Sequence, residues 1–295
     1  MKLELKNIEK AFGSKRVLKG VSFSAESGKA FGLLGRNGAG KTTSIRILMD
    51  VLPSDGGEIL LDGKPIDHRA IGIGYLPEER GLYPKKIILD QLTYFAELKG
   101  MKHREAVASV DAWLDRLGMS EYRNKRLDTL SKGNQQKIQL VTALAHDPKI
   151  VILDEPFSGL DPVNARLLKD VVKEQINKGK IVLFSSHQMS YIEEFCDHIA
   201  ILNDGRVVLE GDLREIKRNY GRDRLAVCAD NAEGILAEFG DSCTRAENGE
   251  LIIRLSSPDK KAEVMGRLAA YDPDSIRVFE PSLNDIFVEY ASEQV

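Results

Sequence analysis

Eight residues constrain this chain more than any others: Gly35-Arg36-Asn37-Gly38-Ala39-Gly40-Lys41-Thr42, set directly behind the apolar run Ala30-Phe31-Gly32-Leu33-Leu34. The next stretch, Thr42 to Val51, carries Ile45, Leu48 and Met49 at helical spacing, so the segment reads as strand, glycine-rich turn and helix. In that context the spacing G-x-x-x-x-G-K-T is that of a phosphate loop. Its glycines let the backbone curl until N–H groups converge on the β- and γ-phosphates of a nucleotide, at a helix N-terminus whose dipole favours anions. Lys41 adds a positive charge on the phosphates, and the Thr42 hydroxyl is a ligand for Mg²⁺. The expected contacts in the loop are Gly35, Asn37, Gly38, Ala39, Gly40, Lys41, Thr42 and Thr43.

A second element belongs to the same chemistry. Ile150-Val151-Ile152-Leu153 is an apolar strand that ends in Asp154-Glu155. A buried parallel strand delivers its last carboxylates to the edge of the sheet where ligands of such folds collect. Asp154 is placed to hold Mg²⁺ and Glu155 to polarise the attacking water. Alone, two acids after a strand read equally well as a solvated loop; the phosphate loop tips the balance.

Around these elements the pattern alternates. Leu3 and Leu5 interleave with charges as in an edge strand, and Val17, Val21 and Phe23 mark further short strands. From about 84 to 147 the spacing is helical, in Leu89 to Leu98, Glu105 to Leu117 and Asn134 to Leu144, which reads as a helical insert. Strand and helix alternation then returns through a helix over 163–177, the strand Ile181-Val182-Leu183-Phe184 and a helix over 189–195, implying a parallel sheet covered on both faces. Asp204-Gly205 between two apolar runs predicts a hairpin. Beyond residue 221 the order is strand 225–229, helix 232–239, a hairpin through Asn248-Gly249, helix 259–271, strand 275–279 and a last helix opened by Ser282 and Asp285 as a capping box. This βαββαβ(α) order fits a small ferredoxin-like α+β domain.

Charge marks the same division. Residues 1–221 hold 34 Lys and Arg against 30 Asp and Glu, whereas residues 222–295 hold 8 against 15. Two domains are therefore expected, 1–221 and an acidic 222–295 with a possible regulatory role. Neither is basic enough for a nucleic-acid footprint. The longest stretch without Asp, Glu, Lys or Arg, Ile181 to Ile192, is twelve residues and includes Ser185, Ser186, His187 and Gln188, while a spanning helix needs ~20 apolar residues. Met1-Lys2-Leu3-Glu4-Leu5-Lys6 lacks the apolar core of a secretory signal, so the chain is expected in the cytosol. Cys196, Cys228 and Cys243 are too few and too scattered for a disulfide framework and are expected to be reduced and structural.

Three further motifs carry a resemblance. Leu130-Ser131-Lys132-Gly133-Asn134-Gln135-Gln136-Lys137 resembles the LSGGQ signature of ATP-binding cassette (ABC) ATPases. Ser158-Gly159-Leu160-Asp161-Pro162 is similar to the D-loop of that family, and His187 at a strand end is similar to its switch histidine. Phe12 falls where the family places an aromatic residue against adenine. With the phosphate loop and the paired acids, these motifs stand in the family's order over residues 1 to about 215. The resemblance implies ATP and Mg²⁺ as ligands, an antiparallel β subdomain beside the parallel-sheet core, Ser131 and Gly133 as contacts to a nucleotide, and His187 as a contact to its γ-phosphate. Read alone, Ser131 is a helix N-cap, His187 a helix N-terminal histidine and Phe12 a core aromatic.

The departures are specific. Lys132 and Asn134 replace a glycine and the glutamine of the signature, and Glu78 in Gly74-Tyr75-Leu76-Pro77-Glu78-Glu79-Arg80-Gly81-Leu82-Tyr83 replaces the family's glutamine, a Mg²⁺ and water contact. A carboxylate at position 78 either binds Mg²⁺ more tightly or repels ATP. This string, and Glu280-Pro281-Ser282-Leu283-Asn284-Asp285-Ile286-Phe287 near the C-terminus, are similar to the NatA-like and YhaQ-like ATPases of ABC-2 type exporters. The resemblance implies an ATPase that closes head to tail as a dimer, homodimeric or paired with another ABC subunit, and powers a separate membrane-spanning permease docked near the Glu78 loop and the helical insert. That places the chain at the inner face of the cell membrane through its partner. The alternative is a single-cassette soluble ABC ATPase driving an assembly or repair process.

Overall fold

The computed structural model describes residues 1–79, 81–158, 160–186, 188–221, 223–246 and 248–292. The chain divides into two compact units, Met1–Glu210 and Gly211–Val295.

The first unit opens with long antiparallel strands, β1 (Lys2–Phe12) and β2 (Lys15–Glu26), followed by β3 (Ala30–Gly35), α1 (Lys41–Leu48), β4 (Gly56–Leu61), β5 (Lys64–Pro65) and β6 (Ile73–Leu76). The helical insert holds α2 (Ile88–Leu98), α3 (His103–Arg116) and α4 (Lys132–Leu144). Then come β7 (Ile150–Asp154), α5 (Pro162–Asn177), β8 (Ile181–Ser185), α6 (Met189–Phe195), β9 (His198–Asn203) and β10 (Arg206–Asp212), the last of which crosses the division between the units.

Two sheets result, one in the order β2-β1-β4-β5 and a six-stranded one in the order β10-β9-β3-β8-β7-β6. Every residue of β3, β7 and β8 is buried, as expected of parallel strands with both faces covered. The first sheet packs on the second through one apolar cluster, in which the rings of Phe23 and Phe31 stack with centroids 5.0 Å apart. Contrary to the edge-strand expectation, β1 is paired on both sides: Leu3 lies opposite Ala25 on β2 and opposite Leu61 on β4. Its alternating charges mark the face of an antiparallel sheet turned away from the core. Asp204 and Gly205 both take positive φ, 44° and 75°, as a two-residue hairpin with the sheet's twist requires.

The second unit adds α7 (Leu213–Gly221), β11 (Arg224–Cys228), α8 (Ala232–Phe239), β12 (Cys243–Arg245), β13 (Leu251–Arg254), α9 (Lys261–Leu268), β14 (Ser275–Val278) and α10 (Leu283–Ser292). Its sheet runs β12-β13-β11-β14 with every neighbouring pair antiparallel, which is the βαββαβ(α) order read from the sequence. Leu225, Val227, Leu251 and Ile253 line one face of the sheet and pack on Ile235 and Leu268. The helix expected over 259–271 is shorter, because single 3₁₀ turns flank α9 on both sides. The capping box is formed: the Ser282 N–H donates to Asp285 Oδ2 at 2.8 Å, and the Asp285 N–H donates to Ser282 Oγ at 3.2 Å.

The contact boundary precedes the charge boundary. α7 packs on β11 and α10, and the guanidinium of Arg224 lies 3.9 Å from the Tyr220 ring centroid while it donates to Glu289 at 3.1 Å. Charge balance reports surface composition, whereas the extent of a unit is set by packing. Cys196 and Cys243 are buried, but Cys228 at the end of β11 is exposed, which separates it from the structural role expected of all three.

Candidate nucleotide site

The strands β6, β7, β8 and β3 lie side by side and parallel, so their carboxyl ends share one edge. Register puts Asp154 directly opposite Ser185 and Leu76 opposite Leu153. The turns that leave those ends are the phosphate loop, the Glu78 segment, the Asp154-Glu155 pair and the Ser186 turn.

Glycine is needed in the loop for packing as well as for curvature. A Cβ on Gly35, at φ 155°, would lie 2.6 Å from the Leu202 carbonyl oxygen, and one on Gly40, at φ 114°, would lie 2.5 Å from Leu18 Cδ2. Two residues of the motif are thus held against β9 and β2. No side chain caps α1 at Gly40, so its first turn presents backbone N–H groups for which a phosphate is a fitting partner. Asn37 and Gly38 lie on the exposed outer turn, Ala39 is buried, and Thr42 is exposed on the first turn of α1 beside Thr43.

The Lys41 ammonium donates to the carbonyls of Gly35, at 2.5 Å, and Arg36, at 3.3 Å. Its burial pushes its pKa below the usual lysine range, while the carboxylates of Glu155, Asp154 and Glu78 oppose that shift. Burial raises the Asp154 carboxyl above the usual carboxylate range, and the negative charges of Glu78 and Glu155 add to the effect. A cation arriving there would favour the ionised form. The Tyr75 hydroxyl on β6 donates to Asp154 Oδ2 at 3.3 Å. Glu155 is 6% exposed and stands at φ 49°, a left-handed conformation that costs a non-glycine residue about 1–2 kcal/mol. Its N–H donates to the Ser185 carbonyl at 2.8 Å, and the Ser186 hydroxyl donates to its Oε2 at 3.0 Å.

Thr42, Glu78 and Asp154 line a cavity of about 680 Å³ that continues past Tyr75, Met49, Val51 and Gln139 to Phe95 and Leu98 of α2. Its donors at the loop end are all oxygens. Among the described residues no three His, Cys, Asp or Glu side chains stand together to hold a metal by themselves. Mg²⁺ is commonly held by one or two protein oxygens together with waters and substrate phosphates, so Thr42 and Asp154 fit it.

The structure brings Lys41, Thr42, Glu78, Asp154 and Glu155 together and leaves the signature elsewhere: Ser131 and Gly133 do not line this cavity. Ser131 is the N-cap of α4, its hydroxyl accepting from the Asn134 N–H at 3.4 Å, and Gly133 lies next to it against Asn164. Asp161 caps α5 by accepting from the N–H groups of Val163 and Asn164. Phe12 ends β1 with 50% of its surface exposed and its ring 5.8 Å from the Lys10 ammonium, which is no core position. His187 lies outside the described residues, as do Arg80 and Gly159 of the quoted motifs.

Sequence reasoning missed the groups that hold these loops. Gln139, 3% exposed on α4, donates to the carbonyls of Pro77, at 3.3 Å, and Glu79, at 3.0 Å, and so braces the turn around Glu78. Gln136 donates to the Pro156 carbonyl at 3.3 Å, just behind Glu155. The available signal was three glutamines, Gln135, Gln136 and Gln139, in a helix that otherwise reads as buried: a buried amide must be satisfied, and loops offer carbonyls.

Comparison with known proteins agrees with this geometry. The sequence profile described as "ABC transporter" matches residues 18–158, and "ATP-binding protein DrrA1-3-like, C-terminal domain" matches residues 211–291. The chain is 43% identical to the uncharacterized ABC transporter ATP-binding protein YhaQ of Bacillus subtilis strain 168, over 97% of each chain. It is 34% identical to a Nod factor export ATP-binding protein I of Burkholderia lata, over 90% of each. A dimeric structure of a bacterial ABC transporter cassette superposes with a TM-score of 0.65 at 25% identity, covering 72% of this chain and 99% of that one. The phosphate loop, the paired carboxylates at the sheet edge and these similarities along nearly the whole chain make it an ATPase of the ABC transporter ATP-binding family, in the branch that carries a DrrA1-3-like C-terminal domain.

Proposed function

We propose that the chain binds ATP with Mg²⁺ at residues 35–43, that two copies close head to tail around the nucleotide, and that closure and reopening power a separate membrane-spanning exporter. In each copy Lys41 and the loop N–H groups hold the phosphates; Thr42 and Asp154 would hold the metal, which when bound would supply positive charge against the phosphates. Glu155 orients and polarises the attacking water, and Ser131 and Gly133 of the second copy complete the phosphate site. His187 contacts the γ-phosphate, and Phe12 lies against the base.

The observation that carries the exporter reading is the cavity. It begins at the metal donors Thr42 and Asp154 and ends among side chains that water should not meet: Val51 is 68% exposed and Leu98 63%. Exposed apolar surface continuous with a reaction centre is what a docking partner covers. No helix among the described residues is long and apolar enough to cross a membrane. A relative named for export supports the direction.

The test is to look for a multi-helix membrane protein encoded beside this chain and to coexpress the two. The two should co-elute in detergent, and Leu98→Glu should cost at least about tenfold in apparent affinity, because burying an unpaired carboxylate is expensive. A chain that hydrolyses ATP yet binds no membrane protein would favour the assembly or repair reading instead.

A further inference from the structure

The turn between β8 and α6 carries a hydroxyl that none of the family motifs accounts for. Ser186 is 3% exposed and sits against a carboxylate that is itself 6% exposed. The chemistry of its neighbours fixes its single proton. The Gln188 N–H, 3.1 Å from Ser186 Oγ, can only donate, and an ionised Glu155 can only accept, so the hydroxyl hydrogen points to Glu155 Oε2 at 3.0 Å. The chain Gln188 N–H to Ser186 O–H to Glu155 Oε2 therefore runs one way. The residue before it, Ser185, accepts the Glu155 N–H at 2.8 Å. Consecutive residues at the end of β8 thus grip Glu155 at its backbone and at its carboxylate, across the strand pair that places Asp154 opposite Ser185.

We propose that the Ser186 hydroxyl is a positioning group for Glu155: it fixes the side-chain rotamer and so aims the carboxylate at the attacking water. Ser186 touches no substrate, and its effect passes through Glu155. The proposal rests on the reading of Glu155 as the group that polarises water. Misplacement of a reacting group by as little as 1 Å can cost ~100-fold in rate, so the loss belongs in the turnover step rather than in nucleotide binding.

The test uses the full chain and four proteins: wild type, Ser186→Ala, Ser186→Thr and Glu155→Gln. ATP affinity is measured with a fluorescent ATP analogue, kcat and KM by phosphate release, and folding by thermal unfolding. Ser186→Ala should lower kcat about 10–100-fold, with affinity and KM within about twofold of wild type and an unchanged melting temperature, and Ser186→Thr should restore most of the rate. Ser186→Ala at wild-type kcat, while Glu155→Gln is inactive, overturns the positioning role and leaves the role of Glu155 standing. So does a loss in Ser186→Ala that is shared by kcat, affinity and melting temperature and is not restored by threonine. Glu155→Gln at near wild-type kcat removes both.

Discussion

Two of the three sheets among the described residues use strands in opposite ways. In the six-stranded sheet β3, β6, β7 and β8 run parallel, so their carboxyl ends gather on one edge, and Gly35, the Glu78 turn, Asp154 and Ser186 converge there. In the C-terminal sheet every neighbouring pair is antiparallel, which splits the strand ends between two edges. The charged groups of that unit pair locally instead, Arg277 with Glu250 and Arg267 with Glu238, as surface ion pairs of small energetic weight. A parallel sheet concentrates turns, and therefore chemistry, without any special residue. An antiparallel one of the same size needs a deliberate cluster to do so.

The comparison predicts which substitutions stop hydrolysis and which only unfold a unit. Glu155→Gln should retain ATP binding and lose about 10²–10⁴ in turnover, as removal of a general base does. Lys41→Ala should weaken ATP binding about 100-fold, or about 2.7 kcal/mol, read by equilibrium titration. In the other sheet, Ile253→Ala removes a fully buried side chain and should destabilise the C-terminal unit by about 2–5 kcal/mol in denaturant melts. ATP affinity of that variant should stay within about threefold of wild type, because none of the nucleotide-site residues belongs to that unit and residues that share no partners act independently. A loss of ATP binding in Ile253→Ala would break the separation. Ending the chain at Glu210 sharpens it: if the acidic unit tunes dimer closure, hydrolysis or ATP-dependent dimerisation should change, and the change should shrink at high salt, where exposed charges beyond ~8 Å are screened.

A further effect concerns pH. His146, at the wall of the cavity, has its pKa pushed down to about 4 by burial, with the Lys99 charge adding to it. Between pH 6.5 and 4 the unfolded chain takes up a proton here that the folded chain refuses. The contribution of the neutral ring to stability is therefore whole above pH 6.5 and lost as pH falls toward 4. His146→Gln should make the urea midpoint of the first unit fall less steeply over that window. An identical slope would mean that the ring protonates freely in the folded state.

Much of the first unit was legible because its determinants are local. The phosphate loop needs glycines at fixed offsets, and β7 and β8 read as buried strands because both faces are covered. The antiparallel sheet was half legible: alternation in Leu3 and Leu5 revealed a strand with one solvated face but not its place between β2 and β4, since pairing on both sides leaves no mark in one strand's own pattern. The braces were silent for a different reason. Gln139, Tyr75 and Ser186 matter through partners 62, 79 and 31 positions away, and nothing in the spacing of the sequence announces a bond of that span. Charge divides the chain at residue 221 and packing divides it at Glu210, because α7 packs on β11 and α10.

The central proposal is that one chain holds only half of each nucleotide site, Gly35 to Thr43, and that Ser131 and Gly133 of a second copy supply the other half. Light scattering of Glu155→Gln with ATP and Mg²⁺ tests it most directly. The account predicts a particle of twice the 32.8 kDa chain mass, reverting to one chain when Ser131→Arg is added, because the guanidinium fills the anion position. A 32.8 kDa particle with ATP bound at every protein concentration tested would contradict it.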